Sequence, residues 1–283
     1  MLGVGLNIKP RVVNGVDPVA QALITAGNYT NSGVKADIDW FIKSLKSNSL
    51  YNSDLKVMHL FITDSDTSAT QLSQFKWNAL NPLDTNAAFR LTPFNTPTTN
   101  KLGTSGNGTT QYWESYFNFN TVMSANVNNM GIMHNYLDSV NAGVCGVLDT
   151  TTGGGNRIVQ SLMNFGGNTN GCINSNTGTS TASASASGFV AVNRVGTLQS
   201  VYYRGALQNS TTTPTTGTPA SHSENILRRN HASPLYGSGG VNFRAIFSNY
   251  DETKVLLLMS LANELQGRLE TSLNLTPNTR KKY

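Results

Sequence analysis

A mainly β sandwich with helices at both ends is the fold class this sequence predicts, and three observations predict it. The first is the stretch 188–209, GFVAVNRVGTLQSVYYRGALQN, where Phe189, Ala191 and Asn193 alternate with Val190, Val192 and Arg194. Val195-Gly196-Thr197 breaks that run, and Leu198, Ser200, Tyr202 and Arg204 then alternate with Gln199, Val201 and Tyr203 up to Gly205. Period-two alternation, β-branched and aromatic residues and a glycine-bearing connection mark an antiparallel hairpin followed by a further turn. The second is the texture from Trp77 to Phe247, short apolar alternations separated by Gly/Asn/Thr/Ser loops, as in a sandwich. The third is a pair of helical apolar stripes, one on each side of that region.

In chain order, residues 1–30 read as an N-terminal attachment arm, because Gly3, Gly5, Pro10, Gly15, Pro18 and Gly27 interrupt any long regular element. A helical segment, 31–54, follows. Asn31 or Ser32 can cap it, Ile38, Phe41, Ile42 and Leu45 recur at helical spacing, and Lys43 and Lys46 suit the negative end of its dipole. Residues 55–250 form the sandwich. Its expected strands are 55–62, Ala87–Leu91, Tyr112–Phe117, Gly131–Tyr136, Gly143–Leu148, Arg157–Met163, the hairpin, Ile226–Arg229 and Asn242–Ser248. Ser175–Ser187 is Ser/Thr/Ala low complexity and Ser210–Ser221 is Thr/Pro-rich; both read as exposed loops or edge excursions. The segment 251–283 is a C-terminal helix and basic tail. Asp251 is its N-cap, Val255, Leu258, Met259, Ala262, Leu265 and Leu269 are its stripe, Gly267 is a weak point, and Pro277 is a stop.

Only 12% of the 283 residues are charged, about half the ~25% usual for soluble domains, so solubility rests on Ser, Thr, Asn and Gly. The net charge of +5 comes from basic residues scattered singly, apart from Arg228-Arg229 and the terminal Arg280-Lys281-Lys282. A nucleic-acid groove would cluster them with interleaved aromatics, so no nucleic-acid partner is expected. No apolar run approaches the ~20 residues of a membrane helix, and the start lacks the basic and small-residue pattern of a secretion signal. Cys145 and Cys172 lie among small or apolar neighbours and read as buried small hydrophobes, with a single disulfide between them left open.

Catalytic patterns are sought and mostly not found. A retaining glycosidase needs two framed carboxylates about 5–5.5 Å apart. The close pairs here are Asp37/Asp39 in a helix, Asp251-Glu252 in a cap, and Asp64/Asp66 in a Thr/Ser turn with no apolar frame. Asp64 and Asp66 also resemble the opening of a calcium loop, but Ala69 and Phe75 stand where the EF-hand form needs Gly and Glu. They are the calcium candidates, and no other cofactor or metal is expected. His222, Glu224 and His231 lack a visible full ligand set, and His59 and His134 sit within apolar patterns as core or edge residues. No GxSxG elbow is present, and Gly153–Gly155 precedes a strand rather than the helix a phosphate loop requires. Recognition is left to aromatics. Tyr112, Trp113 and Tyr116 share one strand whose two faces are core and outside, and they are the candidate ligand or subunit contacts.

Taken in order, several runs resemble a family of phage virion proteins with a concanavalin A-like, laminin-G-like jelly-roll domain, found in crAss-like and other phages of Bacteroidetes. They are LYNSDLK (50–56), FKWNALNPLDTNAAFRL (75–91), GNGTTQYWESYFN (106–118), RIVQSLMNFGG (157–167), the hairpin (188–207), SENILRRNHASPLYGSGGVNFRAIF (223–247) and LQGRL (265–269). The resemblance covers roughly residues 20–273, and WNALNPLDTNAAFRL is its most telling part. It implies a non-enzymatic structural protein of the virion, in a fibre, tail or capsid attachment, whose partners are copies of itself and other virion proteins. It supplies no catalytic residues. The alternative is a lectin-like receptor-binding module that recognises a host-surface glycan, and a cellular extracellular carbohydrate-binding domain is a third reading.

Overall fold

The computed structural model describes residues 15–82, 89–137, 143–149, 157–165, 167–175, 177–182, 187–215, 219–230 and 234–275. Within them a mainly β sandwich of two antiparallel sheets carries a layer of helices on one side. The first sheet runs in the order β13 (Ala206–Thr212), β12 (Leu198–Tyr203), β11 (Gly188–Val195), β6 (Asn129–Tyr136), β17 (Gly240–Ser248), β4 (Gly103–Ser105) and β3 (Thr98–Asn100). A further strand, β1 (Leu55–Leu60), pairs with Phe243–Phe247 of β17, while β4 pairs with Gly240 and Val241, so the two share one edge of that strand. The second sheet runs β10 (Thr179–Ala182), β9 (Asn168–Ser175), β8 (Arg157–Phe165), β7 (Gly143–Asp149), β14 (Ser223–Ile226), β5 (Tyr112–Asn118) and β2 (Thr92–Phe94). A short hairpin, β15 (Arg228–Asn230) with β16 (Leu235–Tyr236), attaches to β7.

The first sheet is buried on both faces, and this decides how its strands read. Phe189, Ala191, Tyr202, Phe243, Ala245 and Phe247 face the helices, in one core with Phe41 and Leu258. Val190, Val192, Val201, Ile132 and Ile246 face the second sheet, in another core with Trp113, Phe117, Val159 and Ile226. The expected 188–209 hairpin forms, with Val192 opposite Val201 and Arg194 opposite Gln199. Within β11 and β12 only the tip, Val195 and Leu198, is open to solvent. The edge strand β13 is mostly exposed and almost wholly polar, which keeps an open sheet edge from inviting further pairing.

The helix layer consists of α1 (Pro18–Ala26), α2 (Ser32–Ser47) and α5 (Glu252–Ser272). The stripes expected on α2 and α5 are the faces they bury, including Ile38, Phe41, Ile42, Leu45, Val255, Leu258 and Leu265. Asn31 caps α2 by accepting from Val34 N at 3.0 Å, and Asp251 caps α5 by accepting from Lys254 N at 2.9 Å. The α5 helix runs through Gly267 without a break.

The reading of 1–30 as an arm is corrected for its described part. Asp17 caps α1 with Pro18 in its first turn, Ala20, Leu23 and Ile24 are buried, and Asp17 pairs with Lys46 of α2 at 2.8 Å. One strong start signal and an apolar stripe outweigh the spacing of glycines. Residues 1–14 lie outside the described residues.

Four more differences have local causes. Of the strand expected at Ala87–Leu91, residues 87 and 88 lie outside the described residues. Phe89 takes a turn with φ +54°, and the strand is β2, which starts after it. The Ile226–Arg229 run is split at Leu227, whose φ of +68° turns the chain between β14 and β15. A helix, α3 (Ser68–Phe75), follows the turn at Asp64–Asp66, and a single helical turn, α4 (Phe119–Val122), follows β5, both where no helix is expected from the sequence. The two Ser/Thr-rich stretches are partly strand, as β10 and the end of β13.

Those polar strands are held by buried side chains of the hairpin. The guanidinium of Arg194, fully enclosed, donates to the Ile173 carbonyl at 2.7 Å, to the Thr213 carbonyl at 3.0 Å and to Thr213 Oγ1 at 2.6 Å. Gln199 Nε2 donates to Thr179 Oγ1 at 2.9 Å, and its Oε1 accepts from Ile173 N at 2.7 Å. Uncharged Ser/Thr sequence thus acquires order because its hydroxyls and carbonyls find buried partners on β11 and β12.

Candidate functional site

The three candidate aromatics divide by the alternation of β5. Tyr112, Glu114 and Tyr116 point outward and are half-buried, whereas Trp113, Ser115 and Phe117 point between the sheets and are buried. Trp113 is corrected as a contact residue: it is fully enclosed, donates from Nε1 to Thr104 Oγ1 at 3.0 Å and meets Phe61 edge-on at 6.1 Å. Tyr116 is tied down by its hydroxyl, which donates to Thr92 Oγ1 at 3.0 Å.

Tyr112 is the centre of an outward aromatic platform. The Phe94 ring lies parallel to it, with centroids 4.6 Å apart and planes within 4°, and Phe94 is 41% exposed. Tyr236 stands 6.2 Å away at a tilt, and the Arg228 guanidinium sits over both tyrosines, 4.5 Å from Tyr112 and 5.4 Å from Tyr236. Burial pushes the Tyr112 phenol up, against the pull of Arg228, so it stays a neutral hydroxyl. Next to it, burial raises Glu114, whose carboxylate accepts from Tyr116 N at 3.2 Å. Its other oxygen, 2.7 Å from the Asn225 side-chain amide, is satisfied when that amide is turned to donate. Arg229 donates from Nη1 to Gln160 Oε1 at 3.3 Å, beside a small apolar pad in which Leu235 packs on Val144 and Leu162. Gly146, paired with Arg229, permits this: its φ is +144°, and a Cβ there would fall 2.3 Å from the Val159 carbonyl oxygen.

A second concentration of chemistry is sealed between the sheets. Glu224 of β14 accepts from Arg244 of β17 and stands 3.4 Å from His134 Nε2, while His134 Nδ1 meets Ser161 Oγ at 2.8 Å. The Tyr136 hydroxyl donates to the Ser161 carbonyl at 2.8 Å. Arg244 Nη1 donates to His59 Nδ1 at 2.9 Å, and Nε2 of that ring lies 3.0 Å from the Phe89 carbonyl, which assigns the ring proton to Nε2. Burial and then Arg244 hold His59 well below its ordinary value, hence neutral. Burial opposes the charge on Glu224, but Arg244 and His134 hold its carboxyl below the usual range. Burial likewise opposes the charge on His134, but Cys145 and Glu224 raise it to about 9. Serine, histidine and glutamate are residue types of a hydrolytic triad, yet Ser161, His134 and Glu224 all have no measurable exposure. A substrate cannot reach them, and Arg244 already occupies the carboxylate. This cluster fastens the sheets together.

Asp64 and Asp66 are used in ways that do not suit calcium. Asp64 Oδ2 accepts from Thr30 N at 2.5 Å and Asn31 N at 2.6 Å, and Oδ1 accepts from Gln74 Nε2 at 2.9 Å. Burial works against that carboxylate and these donors outweigh it, so its pKa falls. Asp64 therefore anchors the start of α2 and ties it to α3, while exposed Asp66 pairs with Lys101 at 3.0 Å. No group of three potential metal ligands occurs among the described residues. Glu224 is committed to Arg244, and His231 lies outside the described residues. Cys145 and Cys172 are both buried free thiols. A cavity of about 580 Å³ opens between α2 and α5, where Ser272 Oγ donates to Asp37 at 2.6 Å and Arg268 stacks over Trp40 at 4.1 Å.

No family model and no curated protein matches the chain. Among solved structures it is similar to Trypanosoma rangeli sialidase in complex with the inhibitor DANA, at 10% identity and a TM-score of 0.52, over 81% of this chain and 38% of that one. It is similar to the Ruminococcus gnavus IT-sialidase CBM40 bound to α2,6-sialyllactose at 10% identity and a TM-score of 0.43, over 56% of this chain and 97% of that one. The receptor-binding domain of botulinum neurotoxin C/D mosaic serotype gives 11% identity and 0.45, over 64% and 47%. The chain spans about a third of the length of the first sialidase chains it matches. At such identities the likeness is one of fold. The fold is a β-sandwich of two antiparallel sheets with flanking helices.

Sequence reasoning reached Tyr112 but missed Phe94, Tyr236 and Arg228. The internal Arg228-Arg229 pair was the available signal. What hid the rest is that the platform is assembled from β2, β5, β15 and β16, which lie far apart in the chain.

Proposed function

We propose that this protein is a non-enzymatic structural component of a phage virion, and that the outward face around Tyr112 recognises a glycan on the host surface. The observation that carries the recognition reading is the Phe94–Tyr112 stack, with Arg228 over Tyr112 and the Phe94 ring open to solvent. Flat rings of this kind offer a stacking surface to the C–H face of a sugar, and the polar groups beside them supply orientation. The virion reading is supported by the ordered run of sequence resemblances from 50 to 269 and by a polar surface poor in charge. Low charge leaves little repulsion between copies, and many copies turn a weak site into a firm attachment.

Glycan-array binding followed by titration tests the recognition reading. Tyr112→Ala should weaken binding about tenfold or more, equivalent to about 1.4 kcal/mol. It should do so without a comparable loss of melting temperature, because Tyr112 is only half-buried. Binding that is indifferent to both Tyr112→Ala and Phe94→Ala would remove this face from consideration. Chelation should leave binding unchanged, since Asp64 and Asp66 already serve other groups. A fall in affinity on adding EDTA would restore calcium as a ligand. No reducing sugar should be released from bound glycans. Imaging intact particles with the chain labelled tests the virion role, and a particle without label would end it.

A further inference from the structure

Resting on that reading of the Tyr112 face, we infer that the glycan it takes carries a carboxylate, received by Arg228 with Arg229 beside it. Arg228 lies at the platform, and Arg229 follows it on β15. Arg228 covers Tyr112 and Tyr236, and Arg229 reaches Gln160. In each, Nε is shut off from solvent and has no hydrogen-bond partner among the described residues. Neither arginine makes an ion pair there. The two acidic side chains described between 89 and 250 are otherwise engaged. Glu114 feels the charge of Arg228 but makes no ion pair with it, its oxygens being turned to Tyr116 N and the Asn225 amide, and Glu224 is sealed inside with Arg244. Burial lowers the pKa of Arg229, so its environment penalises the cation and offers no counter-charge. An incoming anion supplies what is missing.

The geometry narrows the class of anion. A guanidinium presents a planar fork of donors that matches a carboxylate with two parallel hydrogen bonds. Arg228 is already held over aromatic rings, so little side-chain freedom is lost on binding. The Phe94–Tyr112 stack beside it is apolar and sheet-like, which suits a sugar ring better than a free inorganic anion. Ring and charge together describe a uronic or sialic type of residue within a glycan. A neutral sugar would use the platform and leave the arginines unanswered.

Calorimetry on pairs of glycans that differ in the carboxylate tests this. Suitable pairs are oligogalacturonate against its methyl ester, and sialyllactose against lactose. In a pair that binds, the acidic member should be favoured about tenfold or more, and the preference should shrink as salt is raised. Arg228→Gln should abolish the preference while keeping affinity for the neutral member, and Tyr112→Ala should weaken both members. Should Arg228→Gln melt far below the parent, the acid-against-neutral comparison on the parent protein decides alone. Equal or better binding of the neutral member overturns the carboxylate inference and leaves the glycan reading standing. Neutral glycans binding on an array while no acidic one does has the same meaning. A blank array sinks both.

Discussion

Arg244→Met should destabilise this protein by about 3–5 kcal/mol, the loss expected when one partner of a buried ion pair is removed and the other is left charged without compensation. Glu224 and Arg244 have no exposed surface, and the same guanidinium also serves His59, whose ring in turn holds the Phe89 carbonyl. Removing it strands a carboxylate and an imidazole together between the sheets. Chemical denaturation followed by tryptophan fluorescence checks the loss. The double variant Arg244→Met with Glu224→Leu should recover much of it, because a well-packed apolar pair can replace a buried ionic one at little cost. A loss below about 1 kcal/mol in the single variant, the range of exposed pairs, would mean that water reaches the cluster.

The same network gives the stability a pH window. Glu224 has a folded pKa below the ordinary 4.5, so its contribution is present above that value and is lost as pH falls through the folded pKa. His134 is raised from 6.5 to about 9, so its contribution is complete below 6.5 and is lost as pH climbs towards 9. Denaturant midpoints should therefore be highest between roughly pH 5 and 6.5 and decline on both sides. The alkaline decline should flatten in His134→Gln. A midpoint that rises from pH 6.5 to 9 would contradict the assignment of a charged imidazole.

Phe41→Ala should cost about 3–5 kcal/mol, the usual range for emptying a buried phenylalanine site. Phe41 is fully enclosed beneath α2 and meets the Phe243 ring edge-on at 6.3 Å, so the substitution opens a cavity between the helix layer and the first sheet. Leu258→Ala on α5 removes atoms from the same core and should cost about 2–5 kcal/mol. These residues lie near each other in one core, so the double variant need not be additive. Changes within error in both single variants would show that the helices do not rest on the sheet in solution.

Much of the architecture was legible because it rests on local periodicity. The 188–209 hairpin, the stripes of α2 and α5, and the caps Asn31 and Asp251 are written in spacing and side-chain type, and each stands where the spacing puts it. The alternation of β5 likewise announced that Tyr112 and Trp113 face opposite ways. Local pattern misled where a residue's role depended on something distant. Gly15 and Gly27 suggested an arm, but Asp17 finds Lys46 and the stripe of α1 finds α2. Asp64 and Asp66 suggested a cation loop, but Asp64 receives the backbone of Thr30 and Asn31.

By itself, then, the sequence determined the fold class, the helix faces and the opposite facing of Tyr112 and Trp113, because periods of two and of 3.6 are properties of consecutive residues. Only the tertiary structure decided which sheet is buried on both faces, that Glu224, His134 and Ser161 are sealed together, and that Phe94, Tyr112, Arg228 and Tyr236 meet on one surface. Those groups come from strands far apart in the chain and brought into contact by sheet order and sheet packing. Which strands become neighbours is set by the best joint burial of all of them, a quantity no single stretch of the chain contains.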